Sequence, residues 1–418
     1  MVFALAALAV AAIAGCTDKL NGGATCATLC PEQVVPLRDT VLDVAPGDTS
    51  VSGFPSIGTE NFILVAKFGD TLETRGIIRF DSLGQEFIHN GTDSAITSLD
   101  SVRLVLELLP DSNPHTTAPF TVNVYDVDTT AADTVAAGLV PLFRPSRLVG
   151  SATYSPADLA GDSLLVPLDP DSIVAKIKAS ARVRLGVAIQ PTGNATPVLR
   201  FTSTEGGSPA HLEYRVTADT SVATVNNVPL SSGANVPFIA GSLSDYTIVA
   251  HNASVPNPAL LAVGGVPGSR AMVRFSVPSY IVDSSTVVRA TVLLTQDPNR
   301  ASARAGDSIS VSPVPVLVSS LVTDPHTLFN FVGSTGALGM GSNRILPTDS
   351  GVRFFEIAPL VRTWKGIADS LNPRVVILRA DSELVSPGQA LFFSSKASAD
   401  VRPKLRITFV PRSNYGLP

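Results

Sequence analysis

Along most of the chain, apolar and polar residues alternate with a period of two. Short alternating or β-branched runs recur at 62–68 (FILVAKF), 76–80 (GIIRF), 101–109 (SVRLVLELL), 120–127 (FTVNVYDV), 163–168, 182–189 and 211–216. More follow at 247–251, 259–263, 271–277, 286–294, 308–316, 351–357, 374–380, 390–395 and 404–410. Pro, Gly, Asn and Asp fill the gaps, where tight turns need them. No long stretch places apolar residues at the 3, 4 and 7 spacing of a helix. The pattern predicts an all-β protein of many short antiparallel strands, as in β-sandwiches.

The two halves can be laid on one another. RGIIRFD (75–81) matches RAMVRFS (270–276), SVRLVLEL (101–108) matches VVRATVLL (287–294), and LRFTS (199–203) matches LFFSS (391–395). The offsets are 195, 186 and 192 residues, so order persists with loop-sized slips. A period this long is a tandem domain duplication rather than a solenoid. The expected organisation is a first sandwich at 37–217, a linker at 218–237 rich in small polar residues, a second sandwich at 238–411 and a tail at 412–418.

The N-terminus adds a different signal. Residues 1–15 form an apolar run (MVFALAALAVAAIAG) that is too short to span a bilayer, which takes about 20 residues. It has the length of a signal-peptide core and ends in Ile13-Ala14-Gly15-Cys16, which resembles a bacterial lipobox. The expectation is a lipoprotein signal peptide at 1–15, with Cys16 as the lipidated first residue of the mature chain. No Lys or Arg precedes the run, a departure from the usual positive n-region that is consistent with a start upstream of Met1. Thr17 stands where inner-membrane lipoproteins of some bacteria carry Asp, so localisation leans to the outer membrane. Residues 16–36 read as a tether, in which Cys26 and Cys30 are either a small disulfide or two unpaired thiols.

Composition narrows the partners. The 418 residues are 45% hydrophobic and 16% charged, with a net charge of −5, so no basic field points to nucleic acid. Lysine (7) and glutamate (9) are scarce beside 23 Arg and 26 Asp, which argues against helical surfaces. Aromatics are 6% with one Trp, thin for a glycan cleft, which favours a structural or assembly role.

Four motifs stand in order in the second half: RAMVRF (270–275), SSTVVRATVLL (284–294), FFEIAPLVRTW (354–364) and RPKLRITF (402–409). Together they resemble the DNRLRE-type domain of bacterial surface and secreted proteins. The resemblance covers about 238–410 well and 37–217 in degenerate form, where LDPDS (168–172) replaces the third motif and no Trp follows. It implies two tandem jelly-roll-like antiparallel β-sandwiches after the signal peptide and tether. Some members bind acidic polysaccharides. In the family pattern the Trp closes a short helical turn under the sandwich, so Trp364 is expected in the core.

Candidate chemistry is sparse. The five His make neither an HExxH nor a close pair, no G-x-S-x-G elbow exists, and Gly336, Gly339 and Gly341 do not form G-x-G-x-x-G. No cofactor or metal is therefore expected. Glu107 and Glu213 read as solvated-face residues of alternating strands. Asp126 with Asp128, and Asp169 with Asp171, read as turn carboxylates rather than calcium ligands. Arg79 and Arg274 are the best ligand candidates. The R-x-x-x-R-F alternation sets the two Arg of each strand on one face and Phe on the other. An outward Arg row would grip a carboxylate bidentately; the competing reading pairs each Arg with Asp across strands. The expected function is a non-catalytic surface-anchored lipoprotein that binds or scaffolds, with an acidic polysaccharide or a surface protein as partner. A polysaccharide lyase or hydrolase of jelly-roll type is the alternative.

Overall fold

The computed structural model describes residues 37–412, apart from internal stretches that are chiefly 54–57, 110–115, 131–135, 217–224, 231–242, 253–256, 300–307, 316–337 and 367–373. Cys16, Cys26 and Cys30 lie outside the described residues.

The alternating runs form strands as expected. The chain opens with β1 (Arg38–Asp43) and β2 (Thr49–Gly53). A first series follows: β3 (Phe62–Phe68), β4 (Leu72–Phe80), the separate hairpin β5 (Glu86–His89) and β6 (Thr92–Ala95), β7 (Leu99–Glu107), β8 (Phe120–Asp126), β9 (Leu148–Tyr154), β10 (Ser163–Leu168), β11 (Val183–Pro191), β12 (Val198–Thr202) and β13 (His211–Val216). Then come β14 (Val225–Asn227) and β15 (Asp245–Asn252). The second series is β16 (Leu260–Gly264), β17 (Gly268–Arg274), β18 (Ser285–Asp297), β19 (Ile309–Pro315), β20 (Asn343–Ile345), β21 (Gly351–Glu356), β22 (Val375–Ala380), β23 (Gln389–Phe393) and β24 (Lys404–Pro411).

Among the described residues these strands make two antiparallel sheets of 11 strands each. The two sheets share a strand order. One sheet runs β12-β3-β4-β11-β8-β9 where the other runs β23-β16-β17-β22-β19-β20. Likewise β7 lies between β10 and β13 as β18 lies between β21 and β24. Each sheet carries one large apolar cluster. The first gathers Ile78, Phe80, Val102, Leu104, Phe120, Val122, Leu212 and Tyr214; the second gathers Val273, Phe275, Val292, Phe355, Trp364, Leu405 and Ile407. Inward residues alternate with outward ones, as period-two strands require. In both series a short helix follows the equivalent strand. Helix Pro170–Lys178 buries Ile173, Val174 and Ile177, and Asp169 caps it by accepting from the Asp171 and Ser172 amides at 3.3 and 3.1 Å. Helix Ala358–Thr363 ends at Trp364, which is 1% exposed, as expected of a core residue.

The pairing departs from the expected boundaries at both ends. β1 belongs to the second sheet, where it runs antiparallel to β24 with Arg38 opposite Phe409; β2 pairs there with β17, Val51 opposite Arg270. Conversely β15 pairs with β4 of the first sheet, Tyr246 opposite Ile77. The expected linker is also engaged, since β14 pairs with β13 and the Leu230 amide donates to Arg79 O at 2.8 Å. Strands β1 and β2 thus do for the second sheet what β14 and β15 do for the first. An apolar cluster joins the two: Leu64, Ala66, Leu72 and Val198 meet Val266 and Leu384, and Arg200 Nε donates to Val385 O at 2.7 Å.

Candidate functional site

Strand β8 presents Phe120, Val122 and Val124 to the core, so Thr121, Asn123 and Tyr125 must face outward. The neighbouring strands add polar side chains on the same side. Asn123 lies opposite Ser151 of β9 and Ala188 of β11, and Thr121 lies opposite Thr153 and Gln190. The row is hydrogen-bonded across the strands. Ser151 Oγ donates to Asn123 Oδ1 at 2.8 Å, Asn123 Nδ2 points to Gln190 Oε1 at 3.5 Å, and the Thr121 and Thr153 hydroxyls are 2.9 Å apart.

One end of this row is aromatic. Tyr125 and Phe143 lie with ring centroids 5.3 Å apart and planes tilted by 54°. Phe143 arrives from the connection between β8 and β9 and reaches the sheet because Gly186, opposite Tyr125, has no side chain. Arg75 of β4 lies over the Phe143 ring, its guanidinium carbon 4.4 Å from the centroid. A depression of about 390 Å³ lies between Lys67, Glu73, Arg75, Asn123, Tyr125, Phe143 and Gln190.

Two cations share one carboxylate in the depression. Glu73 takes Lys67 Nζ at 2.8 Å on one carboxylate oxygen and Arg75 Nε at 2.7 Å on the other. Arg75 Nη1 also donates to Val140 O at 3.3 Å. Burial alone would raise the Glu73 pKa, but the hydrogen bonds and charges of Lys67 and Arg75 outweigh it and hold the carboxyl below its ordinary value.

A second depression, of about 350 Å³, lies on the outer face of β18, β21 and β24, between Arg289, Thr291, Leu293, Phe354, Arg406 and Thr408. Phe354 is 58% exposed. Both arginines are engaged across strands, Arg289 with Glu356 at 3.2 Å and Arg406 with Asp39 of β1 at 2.5 Å. Hydrogen bonds from Arg406 and Thr408 keep the Asp39 carboxyl below its usual value.

Arg79 does not form an outward ligand row. The alternation is as expected, with Arg75 and Arg79 on the face opposite Phe80, but that face is roofed. Ile77 packs under Val127, Leu139 and Tyr246, and Arg79 is 3% exposed beneath β15. Its Nη2 donates to the Tyr246 hydroxyl at 3.1 Å. Beside it Arg184 grips Asp81 bidentately at 2.7 and 2.8 Å. Arg274 is half-buried at the end of β17, its carbonyl accepting from the Ala45 amide at 2.7 Å; the described residues give its side chain no ion pair. Its strand-mate Arg270 is buried against Glu383 at 2.8 and 2.6 Å.

Several other carboxylates have cationic partners. Asp126 meets Lys176 at 2.7 Å and Asp128 meets Arg182 at 3.1 Å. Glu213 pairs with Arg103, and Glu107 lies 3.4 Å from His211. Among the described residues no three His, Cys, Asp or Glu side chains converge as metal ligands. Asp245, at the start of β15, is buried. Burial, with the nearby Glu205 and Glu60 carboxylates, pushes its pKa up to about 7, against a hydrogen bond from the Thr204 amide.

Sequence reasoning passed over Tyr125 and Asn123, although the run FTVNVYDV already set them on one face with Thr121. Phe143 gave no such signal, because it sits in an irregular connection.

No protein-family model matches the chain, and no curated protein matches it. Among solved structures, the T13 particle of infectious bursal disease virus is 9% identical over 90% of this chain and 74% of that one, with a TM-score of 0.12. The Gx strain of the same virus gives 8% identity, 90% and 76% coverage and a TM-score of 0.11. Likeness at this level carries no argument about fold or function.

Proposed function

We propose that the protein is a non-catalytic, lipid-anchored surface protein that binds polysaccharide through its sandwich faces. The observation that supports this reading is the outward row of Thr121, Asn123, Ser151, Thr153 and Gln190 ending at Tyr125 and Phe143. Hydroxyl and amide groups match the donors and acceptors of sugar hydroxyls, and an aromatic ring offers a surface for the apolar face of a sugar. Three strands about 4.8 Å apart give the row a reach of roughly 10 Å, long enough for a short segment of an extended chain. The duplicated sheet and the Cys16 anchor fit a module that holds a polymer at a surface, where several copies raise avidity.

Binding of the full chain to immobilised polysaccharides, compared with Tyr125→Ala, tests the ligand half of the reading. Retention by at least one polymer, weakened by the substitution, is the expected result; uniform absence of binding would overturn it. Cys16→Ala tests the anchor, and should release the protein from washed membranes into the soluble fraction.

A further inference from the structure

We infer that β1 and β2 form an exchangeable segment, and that the second sheet takes them from a second copy of this chain as well as from its own. Strands β2 and β15 correspond in sequence, in register and in side-chain role. Asp48-Thr49-Ser50-Val51 and Asp245-Tyr246-Thr247-Ile248 lie 197 residues apart and share an Asp, a hydroxyl and a β-branched residue at the same spacing. Ser50 lies opposite Ala271 and Thr247 opposite Gly76, positions that coincide when RAMVRFS is laid on RGIIRFD. Ser50 Oγ accepts from the Ala262 amide at 2.6 Å, and Thr247 Oγ1 accepts from the Leu64 amide at 2.9 Å. Val51 clusters with Met272 as Ile248 clusters with Ile77. Asp48 accepts from the Ser395 amide at 2.6 Å and Asp245 from the Thr204 amide at 2.9 Å, each at the end of the matched LFFSS and LRFTS runs.

Each strand pair precedes one series and docks on the other. β1 and β2 precede β3 but lie on the sheet of β17 and β24, while β14 and β15 precede β16 but lie on the sheet of β4 and β13. A sheet completed by strands from elsewhere in its own chain can take the same strands from another copy, because the backbone bonds and buried side chains are the same in both cases. The two cases differ in the covalent link, and so in effective concentration. Burial decides which pair exchanges. Asp245, Tyr246, Thr247 and Ile248 are all buried, and Arg79 donates to the Tyr246 hydroxyl. Every residue of β1 is exposed or half-buried, and in β2 only Val51 is buried. The first sheet therefore keeps its pair, while the second holds β1 and β2 by backbone bonds and a few side chains. Two copies that trade β1 and β2 close a dimer; one-way donation builds a head-to-tail row.

Disulfide trapping in the full chain tests the exchange. Asp39 of β1 lies opposite Thr408 of β24, and the Thr408 hydroxyl donates to Asp39 Oδ1 at 3.0 Å, so cysteines at these positions meet whichever copy supplies β1. Asp39→Cys and Thr408→Cys are made together in a chain that also carries Cys16→Ala, Cys26→Ser and Cys30→Ser. The chain is held concentrated in mild urea, returned to buffer and oxidised. Interchain product should appear on a non-reducing gel, its ratio to intrachain product doubling with each doubling of concentration while conversion is low. A mixture of chains carrying Asp39→Cys alone and Thr408→Cys alone should give the linked heterodimer. Val51→Asp in the Asp39→Cys chain should abolish it, because the donated strand no longer docks. The same substitution in the Thr408→Cys chain should raise it by about tenfold or more, because that chain's own β2 vacates the sheet. Intrachain product alone at every concentration, or a heterodimer indifferent to which chain carries Val51→Asp, would overturn the exchange.

Discussion

The guanidinium of Arg79 lies over the ring of Tyr246, its central carbon 5.2 Å from the centroid and Nη2 3.1 Å from the hydroxyl oxygen. Arg79 comes from β4 and Tyr246 from β15, so the contact fastens a strand from the middle of the chain onto the first sheet. Its role is structural. Arg79→Ala should lower stability by about 2–4 kcal/mol, since it removes a buried cation–ring contact and a hydrogen bond and leaves the tyrosine hydroxyl to be rehoused. Arg274→Ala, at a half-buried strand end, should cost less than about 1 kcal/mol. Urea unfolding of the two variants side by side makes the comparison.

Asp245 gives a pH dependence with a definite sign. Its folded pKa, about 7, lies above the ordinary aspartate value of 3.8, so the folded state holds the proton more tightly. Below that ordinary value both states are protonated and the group costs nothing. As pH rises towards 7 the unfolded chain ionises first and stability falls, by up to about 4 kcal/mol; above 7 the loss is complete. Asp245→Asn should flatten this part of the stability curve and raise stability most at pH 8. Denaturation midpoints for both proteins from pH 4 to 8 provide the check.

Gly186 is a site where one methyl group should matter. A Cβ there would stand 2.5 Å from Phe143 Cζ and 2.6 Å from a Val127 methyl. Gly186→Ala should displace the Phe143 ring, at a cost of about 1–3 kcal/mol. The same displacement should reduce the proposed glycan binding at the Tyr125 end while secondary structure by circular dichroism stays constant.

Trp364 reports on the second sheet alone, because it is the single tryptophan and lies in that core. Val51 of β2 packs with Met272, Val314, Val375 and Ile377 of that sheet. Val51→Asp would bury a charge in this cluster and should lower the Trp364 unfolding midpoint by the equivalent of about 3 kcal/mol. An unshifted tryptophan transition would detach β2 from the stability of the second sheet.

Alternation along the strands gave the all-β class and the inward faces, because period two is a local property of each strand. It also set Arg75 with Arg79, and Thr121 with Asn123 and Tyr125. It says nothing about what lies over a face once it is outward. Arg79 shows this: its cover is Tyr246, which comes from 167 residues further along the chain. The partners of β1 and β2 were hidden in the same way, since Arg38 meets Phe409 only through the completed fold. Phe143 lies in an irregular connection, where no period marks it out.

The placement of β1 and β2 on the second sheet has a mechanical consequence. From β2 the backbone passes directly to β3, in the first sheet. In a chain held by a lipid at its N-terminus and by a polymer on the β8 face, a pull would travel along β1 and β2 into β3 and bypass the covalent backbone of the second sheet. The load would fall on the hydrogen bonds of β1 to β24 and of β2 to β17. Peeling those two strands would release the segment from Arg38 to Asn61, roughly 80 Å when extended, while the β8 face would keep its shape. Under that proposed loading the second sheet would act as a reel of slack, yielding length before grip.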